Sequence, residues 1–468
     1  MVNIISNILI KNGVIIPVDG KHRTIENGYV AIKNGKIDSI GKMSTIKDKG
    51  DYELVIDAEK KAVLPGFVNA HTHLATECFR GIVDIFPEIH FTFVVKNFID
   101  EKQLYDLGLL GCLELIRFGT TTTGDNYQRS RIIAQAISTS GLRGVLSEQI
   151  SQANLMEGIY PAIYKYQPEE AEKEIKANEK LIDDWHGAEN GRITCTFGPH
   201  APDTLTQEIL KEIKAKADER DVGIMIHIAQ SPRELQMMRL RHRMTSVEYL
   251  QKAGILGPKT IGAHCVHLTQ KDLEIFRQSG THIAHCPNNF IRRGRSTPLM
   301  PWLKAGIKNI GIASDNILHD PFELMRFTQY LALQYVESID PTSLHLVPQA
   351  HEILEMATMG SARGLGLSHE VGSLEKGKKA DIILVDLEKP HLTPNLDVVT
   401  NLVHYANGND VETVIIDGKI VMDKRTIKTV DDAEALSKGE KASVEVWKAF
   451  VESYRQFPAV AKEFKYFK

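Results

Sequence analysis

Cysteine is scarce in this sequence, and its usage narrows the choice of protein class. The five cysteines (Cys78, Cys112, Cys195, Cys265, Cys286) are odd in number and show no C-x-x-C spacing. Such usage argues against a disulfide framework and fits a reducing compartment. The first twenty residues lack a basic region followed by a long apolar core, so we expect no secretory signal and a cytoplasmic location.

Long apolar runs and an excess of one charge are also lacking. No segment approaches the roughly 18 consecutive apolar residues of a membrane-spanning helix. The chain has 56 basic and 60 acidic residues and a net charge of −4, which does not indicate a surface for polyanions. We therefore expect neither nucleic acid nor membrane as a partner, and a small molecule as the substrate.

Both ends of the 468-residue chain are rich in short β patterns. Asn-Gly at 12–13 and at 34–35 lies between apolar runs, which predicts two hairpin turns, and Asp-Gly at 417–418 returns in a similar pattern. We predict a small β-sandwich domain formed from both chain ends, with residues 1–61 as its first part and 369–430 as its second. A charged helical tail is predicted over 431–468.

The middle of the chain, residues 62–368, alternates between short β runs and amphipathic helical stretches. Eight such β runs occur, from "AVLPGFVNA" to "NIGIAS", which predicts an α/β fold of the (β/α)8 TIM-like barrel type. The alternative is an open doubly wound sheet, which usually carries a glycine-rich phosphate loop after its first strand. The sequence has no such loop, so the barrel is favoured.

Polar residues follow several predicted barrel strands at the end where such folds hold their active sites. These strand-end residues are His71, His73, His200, His227, His264 and Asp315. His71 and His73 are two apart on one strand, so both side chains point the same way and can reach one ion. Alone, the pair could be two polar residues that end a strand. Together with His227 and Asp315 it predicts a metal site.

Three histidines and one aspartate form a ligand set that zinc accepts. Iron(II), cobalt and manganese fit the same nitrogen and oxygen ligands. Three neutral imidazoles and one carboxylate leave a divalent ion with net positive charge. Such an ion lowers the pKa of a bound water to roughly 7 and supplies hydroxide at neutral pH.

Several short motifs, in order along almost the whole chain, resemble those of a known family. They include "LPGFVNAHTH", "GTTTTGD", "FGPHAPDT", "MIHIAQSPRE", "GAHCVHLT", "HIAHCPNN", "GIASDN" and "GSLEKGKKADIILVD". The sequence resembles the amidohydrolase superfamily, specifically its cytosine deaminase-like and atrazine chlorohydrolase-like branch of metal-dependent aminohydrolases. The motifs are specific for the superfamily and much less so for the substrate.

The resemblance implies a role for each strand-end residue. One divalent ion would be held by His71, His73, His227 and Asp315, and Asp315 would also take a proton from the attacking water. His264 would polarise the bond under attack, and His200 would hydrogen-bond the substrate. The resemblance further implies a homodimer.

One position departs from the family pattern. The family commonly has Glu three residues after the histidine of strand five, as a proton shuttle, and this sequence has Gln230. An amide cannot act as general acid or base, although it can orient a substrate by hydrogen bonds. We predict that Asp315 moves the proton alone. Glu77 and Glu234, the other candidates, are expected to be exposed carboxylates or helix salt-bridge partners.

The segment after strand seven, "NNFIRRGRS", is a second departure because it is rich in arginine. Arg292 or Arg293 can bind a carboxylate or carbonyl of the substrate, since a guanidinium matches such oxygens bidentately. The alternative is that they anchor the loop by salt bridges. His285, on strand seven, is expected to satisfy a buried hydrogen-bond network rather than bind metal.

These observations predict a mononuclear metal-dependent hydrolase whose metal-bound hydroxide cleaves a non-peptide C–N bond. The substrate class that the resemblance implies is a small nitrogen heterocycle of pterin, purine, pyrimidine or triazine type, which would be deaminated. The alternatives are hydrolysis of an amide, urea or carbamate-type bond, and hydrolytic dechlorination. A catalytically silent binding protein is a further alternative, but the complete ligand set argues against it.

Overall fold

The computed structural model describes residues 7–46, 52–81, 96–153, 165–292, 294 and 297–454. The predictions about Arg293 and about the end of the helical tail, 455–468, fall outside these residues. Within the described part of the chain, no helix is long and apolar enough to cross a membrane.

The strands are short and occur in three groups along the chain. The N-terminal group is β1 (Asn7–Ile15), β2 (Ile25–Lys33), β3 (Lys36–Lys42), β4 (Leu54–Asp57) and β5 (Lys61–Pro65). The middle group is β6 (Phe67–Thr72), β7 (Thr120–Tyr127), β8 (Arg143–Ile150), β9 (Ile193–Cys195), β10 (Gly198–Pro199), β11 (Ile224–Ile228), β12 (Thr260–His264), β13 (His282–His285) and β14 (Ile310–Ile312). The C-terminal group is β15 (Ile382–Asp386), β16 (Val411–Ile416), β17 (Lys419–Asp423) and β18 (Thr426–Ile427).

Most helices lie between the strands of the middle group. The helices are α1 (Glu101–Arg117), α2 (Ser130–Ser140), α3 (Pro168–Trp185), α4 (Ala188–Gly191), α5 (Gln207–Glu219), α6 (Pro232–His242), α7 (Ser246–Lys252), α8 (Gln270–Ser279), α9 (Pro287–Ile291), α10 (Leu299–Lys304), α11 (Pro321–Ser338), α12 (Ala350–Glu355), α13 (Ser361–Gly364), α14 (Val398–His404) and α15 (Asp432–Tyr454). Helix α8 shows why one of them begins where it does. The Asp272 N–H donates to Thr269 Oγ1 (3.2 Å) and the Thr269 N–H donates to Asp272 Oδ2 (2.8 Å), which forms a capping box.

Both chain ends contribute strands to one nine-stranded sheet. Its order is β18–β17–β16–β15–β5–β1–β2–β3, and β4 pairs with β1. The central contact is the antiparallel pair of β15 and β5, which joins the two ends of the chain. The sheet continues to Pro65, beyond the predicted limit at residue 61. The sandwich form and the other domain limits stay predictions.

At two of the three Asn-Gly and Asp-Gly pairs, the local sequence predicts the backbone conformation correctly. The residues at 34–35 and 417–418 have φ between 51° and 74° and join adjacent antiparallel strands, as hairpin turns do. The hairpin predicted at 12–13 is wrong, because this pair lies inside β1 and forms a bulge in its pairing with β2. A Cβ on Gly13 would lie 2.8 Å from Val63 Cγ2, so glycine is required here by close packing.

The strands of the middle group are parallel and neighbour one another in chain order. Strands β6, β7, β8 and β10 form one sheet, in which β9 pairs with β8, and β11 to β14 form the other. Single parallel bridges join the two sheets at both edges, between Thr72 and Asp315 and between Phe197 and Ile224. Parallel strands alternating with helices confirm the predicted α/β class. Their carboxyl ends all lie on the same side.

A buried ion pair joins the nine-stranded sheet to the parallel strands. Arg143, the first residue of β8, donates from Nε to Asp381 Oδ2 (2.8 Å) and from Nη2 to Asp381 Oδ1 (2.9 Å). The Gly66 N–H donates to the carbonyl oxygen of Asp381 (3.0 Å), which ties the start of β6 to the same point. This junction lies at the amino ends of the parallel strands. The carboxyl ends are therefore left for the polar residues that follow each strand.

Candidate metal centre

Two histidine rings are oriented by backbone carbonyl oxygens. His73 Nδ1 lies 2.6 Å from the carbonyl oxygen of Asn126, and His227 Nδ1 lies 2.7 Å from that of His200. A carbonyl oxygen can only accept, so these contacts assign the proton to Nδ1 of each ring. The lone pair of each Nε2 then points to the centre of the cluster. This is the arrangement by which proteins orient metal-binding histidines.

The ligand atoms converge on one point. His73 Nε2 lies 3.2 Å from Asp315 Oδ1 and 3.4 Å from His227 Nε2, and His71 Nε2 lies 3.4 Å from Asp315 Oδ1. Two ligands bound tetrahedrally to zinc at about 2.0–2.1 Å lie about 3.3–3.4 Å apart, so these separations fit one ion. His71 Nε2 is buried and makes no well-aligned hydrogen bond, which also fits a missing ligand partner.

His264 belongs to the same cluster but lies farther from the carboxylate. The ligand atoms of His71, His227, His264 and Asp315 all lie within 4.8 Å of one another. His264 Nε2 is 3.8 Å from Asp315 Oδ1, which exceeds the spacing that a tetrahedral ion requires and the 3.2 Å of His73. The distances therefore favour His73 as the ligand and leave His264 beside the ion, where a substrate could contact it.

The two carboxylate oxygens of Asp315 have different surroundings. Oδ1 faces the imidazoles, whereas Oδ2 accepts hydrogen bonds from Asn289 Nδ2 (2.5 Å) and Asn316 Nδ2 (2.9 Å). These two amides fix the rotation of the carboxylate, so that Oδ1 is presented to the cluster. Sequence reasoning missed Asn289. It stands in the motif "HIAHCPNN", but nothing in its spacing reveals a contact with a residue of the next strand.

Burial and mutual proximity set the charge states of the cluster. Burial and the neighbouring His71 hold the pKa of His227 well below its usual value, and burial also lowers the pKa of His71. Burial alone would raise the pKa of Asp315, but the surrounding His264, His71 and His73 hold it well below its usual value. The pKa of His73 is shifted the other way, because the contact with Asp315 raises it against the effect of burial. Neutral His71 and His227 beside an ionised carboxylate are the protonation states that a divalent cation needs.

The backbone is strained at the strand ends that carry the cluster. His264 has φ of 73° and Asp315 has φ of 61°, both in the left-handed region that non-glycine residues rarely adopt. Ala229, two residues after His227, has φ of 49°. Each such residue costs about 1–3 kcal/mol and persists only when the surrounding contacts over-determine it, as at functional sites.

The other predicted site residues are distributed around this cluster. The His200 ring centroid lies 5.1 Å from that of His227, and His200 Nδ1 lies 3.2 Å from Thr204 Oγ1. Gln230 is half-buried on the segment after β11. Arg292 is exposed at the end of α9, and the structure does not bring it into the cluster. The roles assigned to these residues stay predictions.

Glu77 and Glu234 differ from the expectation of exposed or salt-bridged carboxylates. Glu234 is 1% exposed, and its carboxylate accepts from the N–H groups of Ala229 (2.7 Å) and Gln230 (2.8 Å). Glu77 is 4% exposed and lies 2.9 Å from His319 Nε2. Both expectations were wrong because these carboxylates are hydrogen-bonded to backbone N–H groups and to a side chain in loops. The periodicity of the sequence does not predict such contacts.

His285 does not satisfy a hydrogen-bond network as expected. Its ring is fully buried and packs edge-on against Trp302, with centroids 5.4 Å apart. Neither ring nitrogen has a hydrogen-bond partner among the described residues. Burial lowers the pKa of His285 to about 3, so the ring stays neutral.

Comparison with known sequences identifies close relatives along nearly the full chain. A profile described as "Amidohydrolase family" matches residues 62–421. The 5'-deoxyadenosine deaminase of Methanosarcina mazei is 36% identical over 451 residues, which cover 94% of this chain and 98% of the relative. The 5-methylthioadenosine/S-adenosylhomocysteine deaminase of Moorella thermoacetica is 36% identical over 442 residues, which cover 91% and 96%.

Solved structures share the fold at lower identity. An adenosine deaminase from Xanthomonas campestris with bound zinc superposes with a TM-score of 0.84 at 23% identity, covering 94% of this chain and 98% of that one. An atrazine chlorohydrolase from Arthrobacter aurescens in complex with zinc gives a TM-score of 0.82 at 23% identity, covering 93% and 100%. These likenesses establish a common fold with both proteins.

Proposed function

This chain belongs to the amidohydrolase family, and on that premise we propose that it deaminates the adenine ring of a 5'-modified adenosine. The predictions of the family and of a hydrolase acting on C–N bonds other than peptide bonds are confirmed by the family match and the relatives. Deamination of a nitrogen heterocycle, also predicted, agrees with both relatives' names. The proposal narrows that heterocycle to a purine nucleoside.

The match to these relatives along almost their whole length carries the proposal, and the converging donor atoms of the cluster supply a site for the reaction. The Methanosarcina mazei and Moorella thermoacetica proteins are named for deamination of 5'-deoxyadenosine and of 5-methylthioadenosine or S-adenosylhomocysteine. The distances of His73 to Asp315, His73 to His227 and His71 to Asp315, which are 3.2–3.4 Å between ligand atoms, support one bound ion.

We assign the ion to His71, His73, His227 and Asp315, with zinc as the expected metal. Zinc is bound in two neighbours of the same fold and accepts imidazole and carboxylate ligands. An ion held there would lower the pKa of a water molecule to roughly 7 and so make hydroxide available at neutral pH.

The residues around the ion then act on the proton and on the ring. The Asp315 carboxylate accepts one proton of the attacking water, while Asn289 and Asn316 hold its Oδ2. His264, 3.8 Å from Asp315 Oδ1, polarises the ring at the carbon under attack, and His200 hydrogen-bonds the substrate. As the C–N bond breaks, the water oxygen becomes the carbonyl oxygen of the product. Asp315 passes its proton to the amino group, which leaves as ammonia, and the second water proton ends on the neighbouring ring nitrogen.

Gln230 favours a second candidate, hydrolysis of an amide, urea or carbamate-type bond. Its amide cannot protonate a ring nitrogen or a leaving group, and loss of an acid–base partner typically costs roughly 10²–10⁴ in rate. In the proposed deaminase, Gln230 orients the ring by hydrogen bonds while Asp315 moves the proton. Arg292, exposed at the end of α9, would contact a distal part of a larger substrate.

The test is a substrate comparison with zinc-loaded protein. Ammonia release would be measured from 5'-deoxyadenosine, 5'-methylthioadenosine, S-adenosylhomocysteine and adenosine, and mass spectrometry would follow a panel of amides, ureas and carbamates. The proposal expects ammonia from the nucleosides and inactivity after chelation. Silence on every nucleoside, with cleavage of an acyclic C–N bond, would establish the second candidate instead.

Two features of the fold are proposed as well. The single bridges at both edges of the two parallel sheets support a closed barrel of eight strands, in which β9 and β10, both paired with β8, count as one. The continuous pairing of nine strands supports a folded β domain from both chain ends. A homodimer and a cytoplasmic location, expected from the sequence, stay predictions.

A further inference from the structure

Four buried polar side chains form a continuous hydrogen-bonded network across the contact between the first and last parallel strands, β6 and β14. Asn69 Nδ2 lies 2.7 Å from Ser314 Oγ, which lies 2.7 Å from His319 Nδ1. His319 Nε2 lies 2.9 Å from Glu77 Oε1. The four residues are between 0% and 6% exposed. None of them was predicted to take part in the site.

The donor and acceptor of each contact in this network can be assigned, and every donor points from Asn69 towards Glu77. The Asn69 amide donates to Ser314 Oγ, the Ser314 hydroxyl donates to His319 Nδ1, and His319 Nε2–H donates to Glu77. Each of the three contacts then pairs a donor with an acceptor, whereas Glu77 Oε2 is buried without a hydrogen-bond partner among the described residues. Buried hydrogen bonds of this kind restrict the relative positions of the elements that they join.

This hydrogen-bond network is attached to the backbone segments that carry three proposed ligands. Asn69 Oδ1 accepts from the Ser314 N–H (3.1 Å) and from the His71 N–H (3.4 Å). Across the same contact, the Asp315 N–H donates to the His71 carbonyl oxygen (3.0 Å) and the His73 N–H donates to that of Asp315 (2.8 Å). The side-chain network therefore lies directly behind the histidine pair and its partner carboxylate.

The Glu77 end of the network lies in a turn that is held by close packing. Glu77 belongs to the 3-10 turn Thr76–Phe79, and a Cβ on Gly111 of α1 would lie only 2.9 Å from Glu77 Oε1. Arg80 Nε donates to the Ile317 carbonyl oxygen (3.0 Å), so a second contact ties this turn to the segment after Asp315. The turn that follows His73 is thus fastened to the segment around Asp315.

Joining two strands through four buried polar groups costs free energy. Burial of polar groups is costly unless each is hydrogen-bonded, and apolar side chains of similar volume often do as well or better for stability. The left-handed φ of 61° at Asp315 also requires surrounding contacts that over-determine it. Geometry at the ligands, rather than stability, explains why the network is present.

We propose that Asn69, Ser314, His319 and Glu77 are positioning residues that set the separation between the His71–His73 pair and Asp315, and through it the affinity for the ion. This inference rests on the ligand set assigned under the proposed function. It does not depend on which substrate the enzyme uses.

The decisive experiment compares Co²⁺ binding by variants of the full chain. His319→Leu removes the centre of the network, and His285→Leu is the matched control, because His285 is equally buried but packs on Trp302. Co²⁺ affinity, measured by competition with a chelator, is expected to fall ~10–100-fold in His319→Leu, as when an outer partner of a metal ligand is lost. The visible absorption spectrum of bound Co²⁺ should change as well. In His285→Leu both should match the wild type.

Two further variants separate positioning from folding. Glu77→Gln keeps an acceptor for His319 Nε2–H and should restore most of the affinity that Glu77→Leu loses. Ser314→Ala removes only the hydroxyl between Asn69 and His319, so it decides the matter if His319→Leu does not fold. Wild-type Co²⁺ affinity and spectrum in folded His319→Leu or Ser314→Ala, or an equal loss in His285→Leu, would overturn the proposal.

Substrate turnover gives an independent measurement. With the active substrate, Ser314→Ala should lower kcat and leave KM unchanged, because the network touches the ligands and not the substrate. Absence of deamination by the wild type would refute the proposed function and leave the Co²⁺ comparison intact. Absence of any Co²⁺ binding by the wild type would refute the ligand set and this inference together.

Discussion

The Nδ1 of His227 lies 2.7 Å from the backbone carbonyl oxygen of His200. This contact joins the ends of two neighbouring strands, β11 and β10, and directs Nε2 of His227 to the other ligands. One hydrogen bond therefore fixes both the tautomer and the aim of the imidazole, as at other metal-binding histidines.

His227→Ala should accordingly abolish metal binding. The change removes one of four assigned ligands, so that two imidazoles and one carboxylate would have to hold the ion. Metal content of the purified protein should fall from about one equivalent to near zero. His285→Ala, which removes an equally buried histidine away from the cluster, should keep its metal. A full equivalent in His227→Ala would refute the ligand assignment.

Asp315→Asn should leave a folded protein with almost no turnover. The amide keeps nearly the same shape and an oxygen that Asn289 or Asn316 can donate to, but it cannot accept the proton of the attacking water. We expect kcat to fall by roughly 10²–10⁴ or more, as for loss of a general base. Steady-state kinetics would measure the loss, and a thermal melt would establish that the variant is folded. Near-normal activity would remove Asp315 from its role.

Stability should fall as pH rises through neutrality because of Glu234. Burial and the nearby Asp203 raise the pKa of Glu234 to about 8, from an ordinary value of 4.5. Between these two values the folded state holds a proton that the unfolded chain has lost, so stability decreases as pH rises through this window. Above about pH 8 both states are ionised and the dependence on Glu234 ends.

Thermal melts of a Glu234→Gln variant test this dependence. The variant cannot ionise at this position, so its Tm should fall less between about pH 6 and about pH 8 than the wild-type Tm. Glu337→Gln, at an exposed position, is the control and should follow the wild type. Parallel curves for Glu234→Gln and wild type would show that Glu234 does not titrate in this range.

The strand-end residues could be predicted from the sequence because each was located from the β run next to it. His71 lies in β6 and His73 directly follows it, whereas His227, His264 and Asp315 lie at or just after the ends of β11, β12 and β14. Parallel strands that alternate with helices bring such ends to one side, so no long-range contact had to be guessed. The structure places all of these side chains in one cluster.

The residues that support the cluster could not be found in the same way. His319 lies in a loop and contacts Glu77, which is distant in sequence and lies after the first parallel strand. That contact exists only because β6 and β14, the edge strands of the two parallel sheets, lie next to each other. The periodicity of the sequence does not predict which edge strands become neighbours. The bulge at 12–13 fails for a related reason, since Asn-Gly favours left-handed φ in a turn and in a bulge alike.

Gln230 offers the sharpest test of how this site works without the usual carboxylate. Its backbone N–H is held by Glu234 (2.8 Å), so a side chain at this position starts from a fixed point beside His227. Gln230→Glu introduces a titratable group there with almost no change of shape. We expect the variant to remain active and its pH profile of kcat to gain a new dependence between acidic and neutral pH, because the added carboxylate can carry a proton.

Gln230→Ala is the matched control, because it removes the amide without adding a titratable group. If the amide orients the substrate, Gln230→Ala should raise KM and keep the shape of the wild-type pH profile. Both variants would be followed by steady-state kinetics across the pH range with the same substrate. Complete loss of substrate binding in Gln230→Glu would contradict the orienting role, since a carboxylate can still accept the hydrogen bonds that the amide oxygen accepts. Wild-type KM and pH profile in both variants would mean that position 230 does not contact the substrate at all.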